Sequence, residues 1–155
     1  MTQEDKELLL KDLCARLDTN LVCSIYRTDD EGVGYRDEIL HGYCKGDIWY
    51  EFYFREDCSI GIDNVSKIKP YLFPLSSMTE EQLYEIKEIT EFKYNHNTLE
   101  LVKWTETHTT LEFWLEEVPQ YKVIEVFDWL NKNHFDIYGL IPMGLALDAT
   151  ELNIY

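Results

Sequence analysis

The chain has 155 residues, the length of one typical domain, and can bury a core without disulfides or metals. Its 30 Asp and Glu residues outnumber 14 Lys and Arg residues, which gives a formal net charge of -16. Phosphate groups are bound by clustered Lys and Arg, so this charge argues against direct contact with nucleic acid or an anionic membrane. The negative charge either favours a basic partner or serves only to keep the protein soluble.

The N-terminal stretch and the cysteines indicate the expected compartment. MTQEDKELLL carries charges where a secretory signal needs an apolar run. No apolar stretch approaches the ~20 residues that span a membrane. Cys14, Cys23, Cys44 and Cys58 lack the Cys-x-x-Cys spacing of metal and redox motifs. The sequence therefore predicts a cytoplasmic protein with reduced thiols and no cofactor.

One short motif, HGYC, places His41 and Cys44 at a spacing that can bind zinc on a turn. The motif falls at the end of a predicted strand, where residues three apart point to opposite faces. We therefore expect no metal site, and buried thiols instead.

The first third of the chain predicts one helix followed by strands. Leucines at 9, 13 and 17 form one stripe, and Thr2 can cap the helix over residues 3–17. Alternating residues in LVCSIYR predict a strand that ends at the loop TDDEGVG. Residues 36–44 and 47–54 follow as two strands joined by a tight CKGD turn, and CSIGID is a further short strand.

A segment with two prolines, IKPYLFPLSSMTEEQ, follows these strands. Proline favours extended backbone at the residue before it, so we expect a connector along the surface. We expect the connector to bury four apolar side chains: Tyr71, Leu72, Phe73 and Leu75. Thr79 and Gln82 then form a capping signal for a helix over about residues 80–91.

The last third of the chain predicts a hairpin and a final helix. LELVKW and TTLEFWL predict strands over about 98–104 and 109–115. Pro119 can lie in the first turn of a helix over about 119–133, and a short strand is expected near 145–147. The order αββββαββα predicts a single α+β domain over residues 1–155, with a mainly antiparallel sheet and about three helices.

The aromatic residues are the first group of candidate binding residues. Eleven tyrosines and four tryptophans exceed ordinary usage. Four aromatic residues fall on predicted strands whose other face carries core residues: Trp49, Tyr53, Trp104 and Trp114. Either helices cover this second sheet face, or it is an exposed patch that binds a protein partner or a second copy of the chain.

The C-terminal stretch NHFDIYGLI is the second candidate, because His134 lies two positions from Asp136 and precedes Tyr138. A carboxylate can orient an imidazole for acid–base chemistry, but no Ser or Cys nucleophile lies beside this pair. The alternative is a helix end, at which Asn131 or Asn133 adopts the left-handed conformation and His134 interacts with the negative helix terminus. We therefore assign no catalytic residue and keep His134, Asp136 and Tyr138 as candidate binding residues.

Three stretches together resemble a family of short uncharacterised proteins from gut anaerobic bacteria and their phages and mobile elements. They are MTQEDKELLLKDLCARL, IKPYLFPLSSMTEEQ and WLNKNHFDIYGLIPMGLALDA, which cover about a third of the chain. The resemblance implies a small accessory protein in a bacterial or phage-infected cytosol. It implies no activity, cofactor or catalytic residue.

Three functions are consistent with these observations. The first is a non-enzymatic interaction protein that acts alone or as a homodimer through an aromatic sheet face or the C-terminal segment. The second is an acidic decoy that imitates the DNA phosphate array and blocks a nucleic-acid-binding host or defence protein. The third is a small enzyme that uses His134 and Asp136.

Overall fold

The computed structural model describes residues 1–29, 32–45, 50–55, 58–90 and 120–155. These residues form three α-helices and seven strands, which confirms the predicted α+β class. The elements in chain order are α1 (Gln3–Ala15), β1 (Val22–Asp29), β2 (Gly32–Ile39), β3 (Gly42–Lys45), β4 (Tyr50–Arg55), β5 (Cys58–Gly61), β6 (Ile68–Leu72), α2 (Glu80–Thr90), α3 (Gln120–Lys132) and β7 (Leu147–Asp148). Short 3₁₀ helices span Ile62–Lys67 and Leu75–Ser77.

Helix α1 begins as its sequence predicts. The Thr2 hydroxyl accepts a hydrogen bond from the Asp5 amide, and the Asp5 carboxylate accepts one from the Thr2 amide. This reciprocal capping box satisfies two backbone N–H groups that have no partner within the helix. Leu9 and Leu13 of the predicted stripe are fully buried.

The first sheet contains four strands in the order β2-β1-β6-β7. β1 and β2 form an antiparallel hairpin from Val22↔Ile39 to Asp29↔Gly32, so the predicted loop TDDEGVG lies mostly within strands. The prediction of a strand over 36–44 was also wrong, because it divides near Leu40. Leu40 donates its N–H to Leu21, whereas His41 donates to Tyr53, so the chain passes from one sheet to the other at this point.

The proline segment differs most from its prediction. It was expected to run along the surface, but Ile68–Leu72 form β6, which lies between β1 and β7. Ile68, Pro70 and Leu72 are buried at every second position, as a strand requires. β7 pairs only with Tyr71 and Leu72, so Pro70 has a partner strand on one side only, which suits a residue without an N–H. Tyr71 and Phe73 are half-buried, whereas Leu72 and Leu75 are buried as predicted.

The second sheet has the order β3-β4-β5 and is antiparallel. Its β3–β4 pairing, from Gly42↔Tyr53 to Lys45↔Tyr50, confirms the hairpin predicted around CKGD. The predicted CSIGID strand is present as β5. Phe52 and Phe54 of β4 are fully buried.

Two groups of apolar residues form the core. The first joins α1 to both sheets, and the second joins α2, α3 and the tail after α3. The helices predicted over about 80–91 and 119–133 are present as α2 and α3. The predicted hairpin over 98–104 and 109–115, together with Pro119, lies outside the described residues. None of the helices described is long and apolar enough to cross a membrane.

Candidate functional site

Helix α3 ends in a left-handed residue, and that residue is His134 rather than Asn131 or Asn133. His134 has a φ of 59°. The Phe135 amide donates to Leu130 O at 3.0 Å and the His134 amide donates to Asn131 O at 3.1 Å. This pair of bonds is the Schellman arrangement that satisfies the last carbonyls of a helix. The prediction of a helix end is therefore confirmed, and the residue expected at the left-handed position is corrected.

A buried ion pair on α1 supports the same helix end. The Arg16 guanidinium donates two hydrogen bonds to the Asp12 carboxylate, at 2.8 and 2.9 Å, and both residues are fully buried. Arg16 also donates to Asn131 O at 3.1 Å and to Phe135 O at 2.6 Å. We refer to Asp12, Arg16 and these two carbonyls as the Arg16 network. It places a cation at the negative end of α3, which was the role expected of His134.

His134 itself is held as a neutral imidazole. Its ring stacks on Tyr155, with 3.9 Å between ring centroids and 12° between planes. The residue is 7% exposed, and its buried Nδ1 has no hydrogen-bond partner in the structure. Burial first, and the positive charge of Arg16 second, lower the pKa of His134 to about 4. At neutral pH this side chain therefore contributes packing rather than charge.

Asp136 does not orient His134. Its two oxygens accept the amides of Leu140, at 2.7 Å, and Ile141, at 2.9 Å. The carboxylate thus fixes the turn after Gly139, which has a φ of 70°. No hydrogen bond joins the His134 and Asp136 side chains in the described part of the chain, so the geometry gives the pair a structural role. Phe135, Ile137 and Leu140 are buried and attach the tail to the core.

Two of the remaining predicted site residues, Tyr138 and Tyr53, lie in the described part of the chain. Tyr138 is half-buried between the two core groups, with Lys11 Nζ 4.7 Å from its ring centroid. Tyr53 is half-buried on β4, and its hydroxyl lies 3.4 Å from the Glu51 carboxylate. Trp49, Trp104 and Trp114 lie outside the described residues. Among the residues that are described, no group of three or more His, Cys, Asp or Glu side chains is placed to bind a metal.

An exposed apolar surface also lies on the β1–β2 hairpin, where none was predicted. Its members, which we call the open sheet face, are Tyr26, Thr28, Val33, Tyr35, Asp37 and Ile39. Val33 is 66% exposed and Tyr35 60% exposed, and Tyr26 and Ile39 are also exposed. Alternation in VGYRDEI would have identified this face, since every second residue of a strand points to the same side.

The pairing of the two strands makes this face continuous. Tyr26 and Tyr35 are directly opposite each other, and their rings meet edge to face with centroids 5.2 Å apart. Tyr71 of β6 donates its hydroxyl to Asp37 at 3.0 Å and extends the face toward β6. Burial, followed by Asp37, raises the pKa of Tyr71. The face is thus an apolar and aromatic surface that carries the Asp37 carboxylate, with Lys69 of β6 on the same side of the sheet.

The geometry therefore defines an α+β domain with a structural C-terminal segment and an open aromatic sheet face. Comparison with known proteins adds nothing to this description, because no model of a protein family, no curated protein and no solved structure matches the chain. The resemblance to proteins of gut anaerobes and their phages stays an expectation.

Proposed function

We propose that this protein is a non-enzymatic interaction module whose open sheet face binds a protein partner with a basic surface. The observation that carries the proposal is the concentration of exposed Tyr26, Val33, Tyr35 and Ile39 on one hairpin. A contiguous exposed apolar surface of this kind is typical of protein interfaces, in which tyrosine is enriched. The proposed setting is the cytosol of a bacterium or of a phage-infected cell.

Charge supports a basic partner over a second copy of the chain. The net charge of -16 attracts Lys and Arg side chains and repels an identical molecule. Asp37 can pair with one such cation on the face. The faces of the Tyr26 and Tyr35 rings also favour cations. We expect a partner that presents Lys or Arg around an apolar centre.

The decisive experiment compares two Tyr→Ser variants of the full chain. Tyr35 belongs to the open sheet face, whereas Tyr84 is 56% exposed on α2 and serves as the control. Wild type and both variants are used to capture proteins from a bacterial lysate. Any protein that wild type and Tyr84→Ser retain and Tyr35→Ser does not is purified, and its affinity for the three proteins is measured directly. We expect a basic protein whose binding weakens at least about 10-fold with Tyr35→Ser and falls as salt rises.

Other outcomes overturn the proposal in distinct ways. A wild-type dimer that Tyr35→Ser makes monomeric, seen by light scattering, would show that the face binds a second copy. Equal loss of binding in both variants would show that the face is not the interface. If wild type and both variants bind every purified candidate with the same affinity, none of the candidates is a partner that uses the open sheet face.

The acidic decoy and the enzyme stay predictions without an observation that favours them. Exposed carboxylates occur on α1, β2, α2, α3 and the tail, so they are not concentrated on one element. A decoy needs a continuous band that resembles a phosphate backbone.

A further inference from the structure

A polar cleft lies where the first sheet is interrupted. β6 pairs with β1 only from Cys23 to Ile25, although β1 continues to Asp29. Beyond that point, within the described part of the chain, the 3₁₀ helix Ile62–Lys67 lies beside β1. These elements leave a cleft of about 260 Å³, which is lined by residues 26–28 of β1 together with Ile60, Gly61, Asn64 and Lys67.

The charged side chains that line this cleft are basic. Arg27 and Lys67 both line it. Glu38 lies 3.5 Å from the Arg27 guanidinium and offsets part of its charge, while both side chains are largely buried. Lys67 is exposed at the rim. The two charged residues that line the cleft are thus both cations, in a chain with a net charge of -16.

The other lining groups suit a small anionic ligand. The Thr28 hydroxyl and the Asn64 amide can donate hydrogen bonds, as an anionic oxygen requires. Ile60 and Tyr26 also line the cleft and can contact a short carbon skeleton. The volume lies at or below the lower end of the roughly 300–1,000 Å³ of drug-sized pockets, so the ligand is expected to be small.

We propose that this cleft binds a small molecule through a carboxylate or phosphate group, with Lys67 as the ion-pairing residue and Asn64 and Thr28 as hydrogen-bond donors. Arg27, held in place by Glu38, adds positive potential at the base of the cleft. The cleft adjoins the proposed protein interface and shares Tyr26 and Thr28 with it, whereas Asn64 and Lys67 belong to the cleft alone. The proposed ion-pairing residue, Lys67, therefore lies outside the open sheet face.

The test is a titration of the full chain, labelled with ¹⁵N, with sodium phosphate and separately with sodium succinate. Ionic strength is kept constant with sodium chloride in Tris buffer, because the net charge otherwise changes the local ion concentration. We expect saturable shifts of the amides at 26–28, 61, 64 and 67 with at least one anion. Saturation by phosphate alone would indicate a phosphate-bearing ligand, and saturation by succinate a carboxylate.

Two charge-matched variants make the result specific. Lys67→Gln removes the proposed ion-pairing group, whereas Lys132→Gln makes the same change at an exposed residue in the last turn of α3. We expect Lys67→Gln to weaken the anion at least about 5-fold and Lys132→Gln to leave it unchanged. Equal weakening in both variants, shifts that do not saturate, or shifts elsewhere in the chain would overturn the proposal. Retention of anion binding in Tyr35→Ser would show that this site is independent of the protein interface.

Discussion

Replacing Arg16 by Met should destabilise the protein more than any other single substitution near the C-terminal segment. The substitution removes both hydrogen bonds to the buried Asp12 carboxylate and the donors to Asn131 O and Phe135 O. Burial already raises the pKa of Asp12, and Arg16 opposes that rise. Without Arg16, the protein must bury an unpaired charge or protonate the carboxyl, and two carbonyls lose their partners.

The expected magnitude follows from the burial of the pair. Removing one partner of a buried ion pair costs about 3–5 kcal/mol. A domain has roughly 5–15 kcal/mol of total stability, so Arg16→Met is expected to approach unfolding at 25 °C. A double variant, Asp12→Leu with Arg16→Met, removes the charge as well and leaves only the two carbonyls without donors. It should therefore recover at least ~2 kcal/mol relative to Arg16→Met.

Urea unfolding, followed by tryptophan fluorescence and circular dichroism, measures these differences. Lys132→Met is the control, because it removes an exposed cation from the last turn of α3 and should change stability by less than about 1 kcal/mol. A loss below about 1 kcal/mol for Arg16→Met, with an unchanged urea dependence, would refute the role given to the Arg16 network. A double variant less stable than Arg16→Met would refute the charge argument specifically.

Three further substitutions test the C-terminal segment. The folded-state pKa of His134 is about 4 against 6.5 for the free side chain, so its stabilising effect is complete above pH 6.5 and is lost as pH falls toward 4. Asparagine tolerates the left-handed backbone at this position, so His134→Asn is the comparison. Across this pH range, the free energy of unfolding of wild type should fall by up to ~3 kcal/mol relative to that of His134→Asn, measured by urea unfolding. Parallel pH profiles of the two proteins would contradict this. Asp136→Asn replaces one accepting oxygen with an NH₂ group that faces a backbone amide, so the free energy of unfolding in urea should fall by about 1–3 kcal/mol. An unchanged free energy of unfolding would show that these two hydrogen bonds are dispensable. Tyr155→Phe keeps the stacked ring but removes the hydroxyl that donates to Tyr71 O, so thermal unfolding should show a loss of about 0.5–1.5 kcal/mol, whereas a loss as large as for Tyr155→Ala would assign the effect to the ring.

Elements with local signals were predictable from the sequence. The capping box at Thr2 and the leucine stripe define α1 within a few neighbouring residues, and the CKGD turn defines the β3–β4 pairing. β6 was missed because Pro70 within it and Pro74 shortly after it indicate a connector locally, while its place in the sheet depends on strands far away in the chain.

The candidate site was less predictable for the same physical reason. Arg16 bonds carbonyls 115 and 119 positions away, which no local pattern indicates, although the spacing of Asp12 and Arg16 on an apolar helix stripe hints at a buried pair. The open sheet face was accessible from alternation in VGYRDEI. The predicted aromatic face was placed on other strands because those strands carry Trp49, Trp104 and Trp114.

The C-terminal segment also connects the Arg16 network to the sheet that carries the open sheet face. Phe73, directly after β6, exchanges backbone hydrogen bonds with His134 O and the Asp136 amide, and the Ala149 amide donates to Leu72 O. Substitutions in the Arg16 network are therefore expected to loosen β6 and, through its pairing with β1, the face itself. If Arg16→Met loses partner binding, the cause would therefore be the lower stability of the fold, and the loss would not show that Arg16 contacts the partner. Only exposed substitutions such as Tyr35→Ser, which leave these bonds intact, can assign the interface.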